Sequence, residues 1–234
     1  MQAVILAGGR GTRLRPLTYE IPKPMIPVLD RPFLFYPIQL LKSSGIRNIV
    51  LCTGHLGNVI EDYCKDGGHL GVSVSYSRED HNRILGTGGA LKNAESLLEE
   101  RFVLLNGDTY LAIDYSEMFR AHSRLEKSAL IAAYKEENPG HCNLLLDDSN
   151  EVLAYAKKET AKGFNAVDAG AVILRKSVLQ LIPPQAVCSL EEEIYTRLIG
   201  SGKMNAFICS EKFYDIGTPE RIKIFSRFLE EISK

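Results

Sequence analysis

The chain has 234 residues, a formal net charge of −1, 45% hydrophobic residues and 24% charged residues. That length buries a substantial core without forcing a second domain. A charge near zero argues against a dedicated nucleic-acid or membrane-surface binder, and no apolar run is long enough to span a bilayer.

In chain order, residues 4–7 read as a short buried strand that breaks into a glycine turn. Residues 33–42 read as a helix, 48–52 as a buried strand, 59–64 as a helix and 72–76 as a strand. A helix over 88–98, a strand over 102–105, a helix over 116–124 and a strand over 129–134 follow. This β-α alternation predicts an α/β fold: a three-layer, doubly wound, mostly parallel sheet with ligands beyond the carboxyl ends of the strands. From about residue 139 the pattern changes to strands at 144–146, 152–155 and 167–174, which predict a small antiparallel extension beside the parallel sheet. A helix over 190–199, a strand over 205–209 and a final helix over 219–232 complete the chain, with Thr218 as N-cap and Pro219 in the first turn of that helix. The division expected is one domain over 1–234, with a first half to about 138, a second half over about 139–217, and a closing helix over 218–232.

Cys52, Cys64, Cys142, Cys188 and Cys209 are odd in number and lack a C-x-x-C pair, which argues against a disulfide framework or a zinc site. Cys52 and Cys209 lie in apolar stretches as small buried hydrophobes. His122, on a helix, reads as structural. Glycine turns begin at residue 8, so no secretory leader pattern is present and a cytoplasmic location is expected.

The chemistry concentrates in residues 3–27, AVILAGGRGTRLRPLTYEIPKPMIP. Leu6 and Ala7 lead into Gly8, Gly9, Gly11 and Thr12, and then into Arg13, Arg15 and Lys23. Glycines let a backbone approach a ligand and turn its N–H groups toward it, and cations supply counter-charge for a phosphate chain. No lysine follows Gly11, so this is not a Walker A loop, and Leu14 stands where the dinucleotide fingerprint needs its last glycine. The segment resembles the signature G-G-x-G-T-R-L-x-P-L-T…P-K-P of the nucleotidyltransferases that make nucleotide-activated sugars. The resemblance implies a Rossmann-like nucleotidyltransferase fold. It also implies a glycine loop around the triphosphate and base, with Arg13 on the departing pyrophosphate and Lys23 at the reaction centre.

Transfer of a nucleoside monophosphate to a sugar 1-phosphate needs little covalent help. The nucleophile is a phosphate oxygen already ionised near neutral pH, its second pKa being about 6. Cations, backbone donors and carboxylates for Mg²⁺ should therefore mark the site, in place of a nucleophile and base. Asp108, in LLNGDTY, ends an apolar strand, and Asp215, in FYDIGTPER, lies between a strand end and a helix start. Either aspartate alone also suits a turn. Both resemble metal-binding positions of the family, which makes Mg²⁺ the expected cofactor, and the resemblance then runs from Ala3 to Arg221.

Residues 85–90, LGTGGA, form a second glycine turn into a helix. The resemblance implies that Gly88 and Gly89 lie against the base and that Gly86 and Thr87 lie against the sugar. Relatives that read thymine or uracil carry glutamines at the positions of Pro24 and Gly89, so a guanylyltransferase for mannose or heptose 1-phosphate is favoured. A cytidylyltransferase acting on a sugar 1-phosphate or a phosphocholine-like acceptor stays open. On the sugar side, the usual Glu-Lys and Asn-Ala-Gly are Lys157-Lys158 and Asp168-Ala169-Gly170. Lys158 matches the lysine that holds the sugar phosphate; Lys157 and Asp168 depart from the pattern, either as an ion pair or as the mark of a different acceptor. Asn143 replaces a glycine and is expected in a left-handed turn. A nucleotide-sugar-dependent glycosyltransferase is the remote alternative, but Asp108-Thr109-Tyr110 lacks the second aspartate of an Asp-x-Asp. The partners implied are a nucleoside triphosphate and a sugar 1-phosphate, with no nucleic acid and no membrane; a homodimer is compatible with the resemblance.

Overall fold

The computed structural model describes residues 1–80, 83–136, 142–156 and 163–232. The strands are β1 (Gln2–Leu6), β2 (Pro27–Val28), β3 (Arg31–Pro32), β4 (Asn48–Thr53), β5 (Ser73–Arg78), β6 (Arg101–Asn106), β7 (Thr109–Leu111), β8 (Ala129–Lys135), β9 (Leu144–Leu146), β10 (Val152–Tyr155), β11 (Ala166–Arg175), β12 (Met204–Cys209) and β13 (Phe213–Asp215). The helices are α1 (Phe35–Ser43), α2 (Gly57–Cys64), α3 (Gly86–Asn93), α4 (Tyr115–Ser123), α5 (Tyr195–Gly200) and α6 (Pro219–Ile232).

β1 lies at the centre because its apolar residues are buried on both faces, as a parallel strand between two helical layers requires. Ala3 and Ile5 face a core shared with Leu34, Ile38 and Leu41, Ile60 of α2, and Met118 and Phe119 of α4. Val4 faces the opposite core, with Ala90 and Leu91 of α3 and Tyr195 and Leu198 of α5. This gives the three layers expected. β1 pairs in parallel with β4 on one side and β6 on the other, and β4 pairs with β5. The chain therefore winds one way from β1 to β5 and restarts across β1 at β6. That reversal opens a crevice at the carboxyl ends of β1 and β6, where ligands of such sheets bind.

The second half departs from an extension placed beside the sheet. β11 is inserted between β6 and β8, antiparallel to both, and β12 joins the far side of β8 in parallel. Only β9 and β10 extend outward, from the start of β11. Insertion suits β11 because most of its ten residues are apolar and buried. Its register shifts between Asp168 and Val172, where Gly170 has φ 81° and a Cβ would meet Thr109 Cγ2 at 2.7 Å. Glycine permits the bulge there, and the bulge sets Asp168 at the inner end of the crevice.

Three local differences have physical causes. α3 begins at Gly86, two residues ahead of the expectation, because the backbone N–H groups of Gly88 and Gly89 are taken by the Cys188 carbonyl. The helix expected over 190–199 opens with a π turn, Leu190–Ile194, capped by Ser189. Asn143 is absent from the left-handed region: its Oδ1 accepts the Asp168 N–H at 2.8 Å, and its backbone joins the β9 edge. All five cysteines are buried and none forms a disulfide among the described residues, and His122 is fully buried, with burial pushing its imidazole down to about 4 and Arg101 and Arg175 adding to the effect. Thr218 caps α6, its Oγ1 accepting the Arg221 N–H at 3.3 Å.

Candidate active site

The crevice is a cleft of about 470 Å³. Its floor is the glycine loop after β1. Among the described residues, none of the backbone N–H groups of residues 8–11 donates to a protein acceptor, whereas Leu14 and Arg15 close the following 3₁₀ turn onto Gly11 and Thr12. A run of unpaired donors is costly unless solvent or a ligand satisfies it, and consecutive amides of this kind form an anion-binding concavity. The loop is tied down at its ends, Ala7 N–H donating to Cys52 O at 2.8 Å and His55 N–H to Gly8 O at 3.2 Å. Gly107 presses against it from β6: a Cβ there would lie 2.4 Å from Leu6 O.

Leu6, Gly8, Gly9, Gly11, Thr12, Arg13, Lys23, Gly86, Thr87 and Asp108 all line this cleft. Arg13 is exposed and forms no ion pair among the described residues. Lys23 is carried in by a 3₁₀ turn, Lys23–Met25, flanked by Pro22 and Pro24. Its Nζ pairs with the Asp108 Oδ2, with side chains 12% and 30% exposed. Asp215 arrives on β13, whose antiparallel pairing with β7 sets it opposite Thr109, the neighbour of Asp108. Its Oδ1 accepts the Gly217 N–H at 2.7 Å and its Oδ2 accepts Arg221 Nη1 at 2.6 Å. Asp215 is outside the cleft lining, but Gly217 is within it, and a Cβ on Gly217 would lie 2.7 Å from Asp215 Oδ1 and 3.7 Å from Lys23 Nζ. The two aspartates and Lys23 thus converge on one corner.

Other expected residues fall elsewhere. Ala7 is buried under the loop. Gly88 and Gly89 do not line the cleft; a Cβ on either would strike Cys188 Sγ at 2.9 Å or Ala186 O at 2.4 Å, so they serve close packing of α3 on residues 186–188. Asp168 and Gly170 line a small inner recess that shares Leu6, Asn106 and Glu191 with the main cleft. Lys157 and Lys158, and with them the ion pair weighed for Lys157 and Asp168, lie outside the described residues.

In the recess, Tyr155 Oη donates to Asp168 Oδ2 at 3.1 Å, and Gly170 N–H donates to Asp168 Oδ1 at 2.8 Å. Burial pushes the Asp168 carboxyl up to about 6, the two hydrogen bonds oppose that, and Glu191 adds to it. Burial also raises Tyr195 well above the usual phenol range. Glu191, on the π turn, accepts Thr87 Oγ1 and Ser189 Oγ, each at 2.8 Å. On the opposite flank Glu79 follows β5, and burial pushes its carboxyl up to about 7. Asn106, Glu191, Tyr155 and Glu79 were not singled out from the sequence. Asn106 adjoins the Gly107-Asp108 motif and was legible in principle, whereas Glu191 sits in a run of three glutamates that reads as a solvated face. Cys52 also borders the cleft, but burial pushes its thiol up to about 12, so it stays neutral.

This arrangement can hold two anions together: amides and cations for a phosphate chain, acids and hydroxyls for a polyhydroxylated partner. The family model described as "Nucleotidyl transferase" matches residues 2–231. The chain is 35% identical over 225 residues to D-glycero-alpha-D-manno-heptose 1-phosphate guanylyltransferase of Campylobacter jejuni, covering 94% of this chain and 96% of that protein. It is 30% identical to mannose-1-phosphate guanylyltransferase of Mycobacterium tuberculosis over 94% of this chain but 62% of that longer protein. The crystal structure of HddC from Yersinia pseudotuberculosis complexed with GMP-PN superimposes with a TM-score of 0.83 at 30% identity, covering 97% of this chain and 99% of that one.

Proposed function

The chain belongs to the nucleotidyl transferase family, and we propose that its donor is GTP and its acceptor a manno-heptose 1-phosphate. It transfers a nucleoside monophosphate to a sugar 1-phosphate and releases pyrophosphate. Support for guanylyl transfer to a heptose comes from the heptose-named relatives of Campylobacter jejuni and Aneurinibacillus thermoaerophilus, which this chain matches over nearly their whole length. The mannose-named relative of Mycobacterium tuberculosis is matched over 62% of its length. The unpaired N–H groups of residues 8–11, beside the Lys23–Asp108 pair, carry the assignment of the phosphate site.

The acceptor's phosphate is a dianion near neutral pH and needs no base to attack the α-phosphorus of the donor. The task is to bring two anions into line and to balance charge as pyrophosphate leaves. The amides of residues 8–11 cradle the triphosphate, Arg13 neutralises the departing pyrophosphate, and Lys23 holds the α-phosphate side of the cleft. Asp108 and Asp215 would hold Mg²⁺. A pair of hard oxygen donors, one just before β7 and one on the facing β13, fits that ion, whose other positions phosphate oxygens and water would fill, and no third acid, histidine or cysteine joins them among the described residues. When bound, the ion supplies charge neutralisation on the phosphates. Asp168, braced by Tyr155, and Glu191 bind sugar hydroxyls at the inner end, and Lys158 holds the sugar phosphate. No helix among the described residues is long and apolar enough to cross a membrane.

The test is pyrophosphate release by the purified chain with Mg²⁺, each nucleoside triphosphate in turn, and heptose, mannose and glucose 1-phosphates. GTP with the heptose should give the highest kcat/KM. Faster turnover of mannose or glucose 1-phosphate would remove the acceptor assignment, and preference for CTP would remove the donor assignment.

A further inference from the structure

Thr18 and His55 stand behind the glycine loop, outside the cleft lining. Thr18 is the middle residue of a 3₁₀ turn, Leu17–Tyr19, whose outer two residues are 51% and 60% exposed. Thr18 itself is turned inward and is 1% exposed. There its Oγ1 donates to Gly11 O at 2.9 Å, and its Cγ2 lies 2.9 Å from where a Cβ on Gly11 would stand. His55 follows β4 and holds the same stretch twice. Its backbone N–H donates to Gly8 O at 3.2 Å, and its Nε2 lies 3.3 Å from Thr18 O. A carbonyl oxygen only accepts, so Nε2 carries the proton and donates.

The Thr18 hydroxyl is not needed to satisfy the Gly11 carbonyl, which already accepts the Leu14 N–H at 2.9 Å. What the two anchors fix is the direction of two peptide planes. In a trans peptide the C=O and the following N–H point to opposite sides. Holding Gly8 O against His55 turns the Gly9 N–H the other way, and holding Gly11 O against Thr18 does the same for the Thr12 N–H. Neither of those N–H groups donates to a protein acceptor among the described residues. Glycine-rich backbone with free amides has many orientations open to it, so an unanchored loop would have to be ordered by each ligand that binds.

Resting on the phosphate-site reading above, we propose that Thr18 and His55 are positioning residues. They form a strap from the end of β4 through His55 and Thr18 to Gly11, and it presets the loop amides for a phosphate chain before the nucleotide arrives. The strap touches no ligand. It acts on affinity for the phosphates rather than on the displacement, because the amides hold the chain in the ground state and the transition state alike.

The experiment measures dissociation constants of GTP and GMP by titration calorimetry with Mg²⁺, and KM and kcat with a fixed sugar 1-phosphate, in the full chain and in Thr18→Val, Thr18→Ser and His55→Phe. Valine keeps the shape of threonine without the hydroxyl, and serine keeps the hydroxyl. Thr18→Val should weaken GTP binding by about 3- to 10-fold, the worth of one hydrogen bond, and raise KM for GTP to match, with kcat within about twofold. GMP presents a single phosphate to the loop and should lose less than about twofold on the same scale. Thr18→Ser should restore GTP affinity, and His55→Phe, which keeps a ring and the backbone bond, should weaken GTP in the same direction as Thr18→Val. A general loosening of the fold would instead weaken GTP and GMP equally, and that result would overturn the proposal. Unchanged GTP affinity in Thr18→Val or His55→Phe, or a Thr18→Ser as weak as Thr18→Val, would overturn it too, with the phosphate site left standing. If the unmodified chain binds GTP no more tightly than GMP, the phosphate-site reading itself fails.

Discussion

Phe225 is the side chain on which the two halves of the metal corner depend. It is fully buried at 0% exposure, with its ring 5.1 Å from Tyr110 of β7, 5.8 Å from Tyr214 of β13 and 5.2 Å from Phe33. β7 follows Asp108 and β13 ends in Asp215, so α6 clamps both strands through this ring. Removing the ring in Phe225→Ala forfeits about 1.5–3 kcal/mol of apolar burial. The void left among aromatics that cannot collapse onto one another brings the total to about 3–5 kcal/mol. At about 2–4 °C per kcal/mol for a chain of this length, Tm should fall by roughly 6–20 °C. Urea denaturation followed by circular dichroism measures the first quantity and a thermal scan the second. Phe228→Ala provides the comparison: that ring is half-buried and stacks on Tyr214 at 4.3 Å, so its loss should cost about 1 kcal/mol. If Phe225→Ala cost no more than Phe228→Ala, the closing helix would not be what holds β7 to β13.

Gly107→Ala should destabilise the fold by about 1–3 kcal/mol and weaken nucleotide binding, because the added carbon meets a backbone oxygen of β1 that cannot swing aside; unchanged denaturation and unchanged GTP titration would contradict the packing of β6 on the glycine loop. Asp108→Asn and Asp215→Asn should keep the circular dichroism spectrum and lose about 100-fold or more in turnover, since each removes a charged ligand and leaves the apolar core intact; full activity in either would overturn the metal assignment. The pH dependence follows from Glu79, a carboxyl on the cleft wall that burial raises to about 7. Protonation removes a charged hydrogen-bond acceptor from the cleft, so KM for GTP should rise as pH falls below about 7 and level off above it. Among the described residues, the other titratable group that senses Glu79 is the Cys52 thiol, pushed up to about 12 and silent in that range. A GTP KM flat from pH 6 to 8 would refute that dependence.

The first half of the molecule was legible because its signals are local. The apolar run before Gly8, the turn at residues 106–108 and the alternating helices each announce a parallel strand end, and the fold places them side by side. Asp108 and Asp215 were singled out from their positions at strand ends, but their proximity depends on the β7–β13 pairing, between three-residue strands too short to show a period. The second half was harder for the same reason in reverse. β11 reads as a strand, yet nothing in its residues says that it slips between β6 and β8, because its neighbours are set by pairings with strands distant in sequence. Gly88 and Gly89 illustrate a limit of motif reading: they stand in a ligand-loop pattern, but the structure uses them to let residues 186–188 approach α3. Glu79 carried no motif at all, and only burial beside the glycine loop distinguishes it from a surface glutamate.

The cleft assembles two anions and presents no activated nucleophile: Cys52 is held neutral, and acids, cations, amides and the hydroxyls of Thr12 and Thr87 make up the rest of the polar lining among the described residues. Transfer should then be a single displacement at the α-phosphorus, with the oxygen of the sugar phosphate attacking directly. The stereochemical course with a nucleoside α-thiotriphosphate of defined configuration tests this most directly. Inversion at phosphorus in the nucleotide-sugar product is the result expected. Retention would require two displacements through a covalent nucleotidyl-enzyme, and would contradict it.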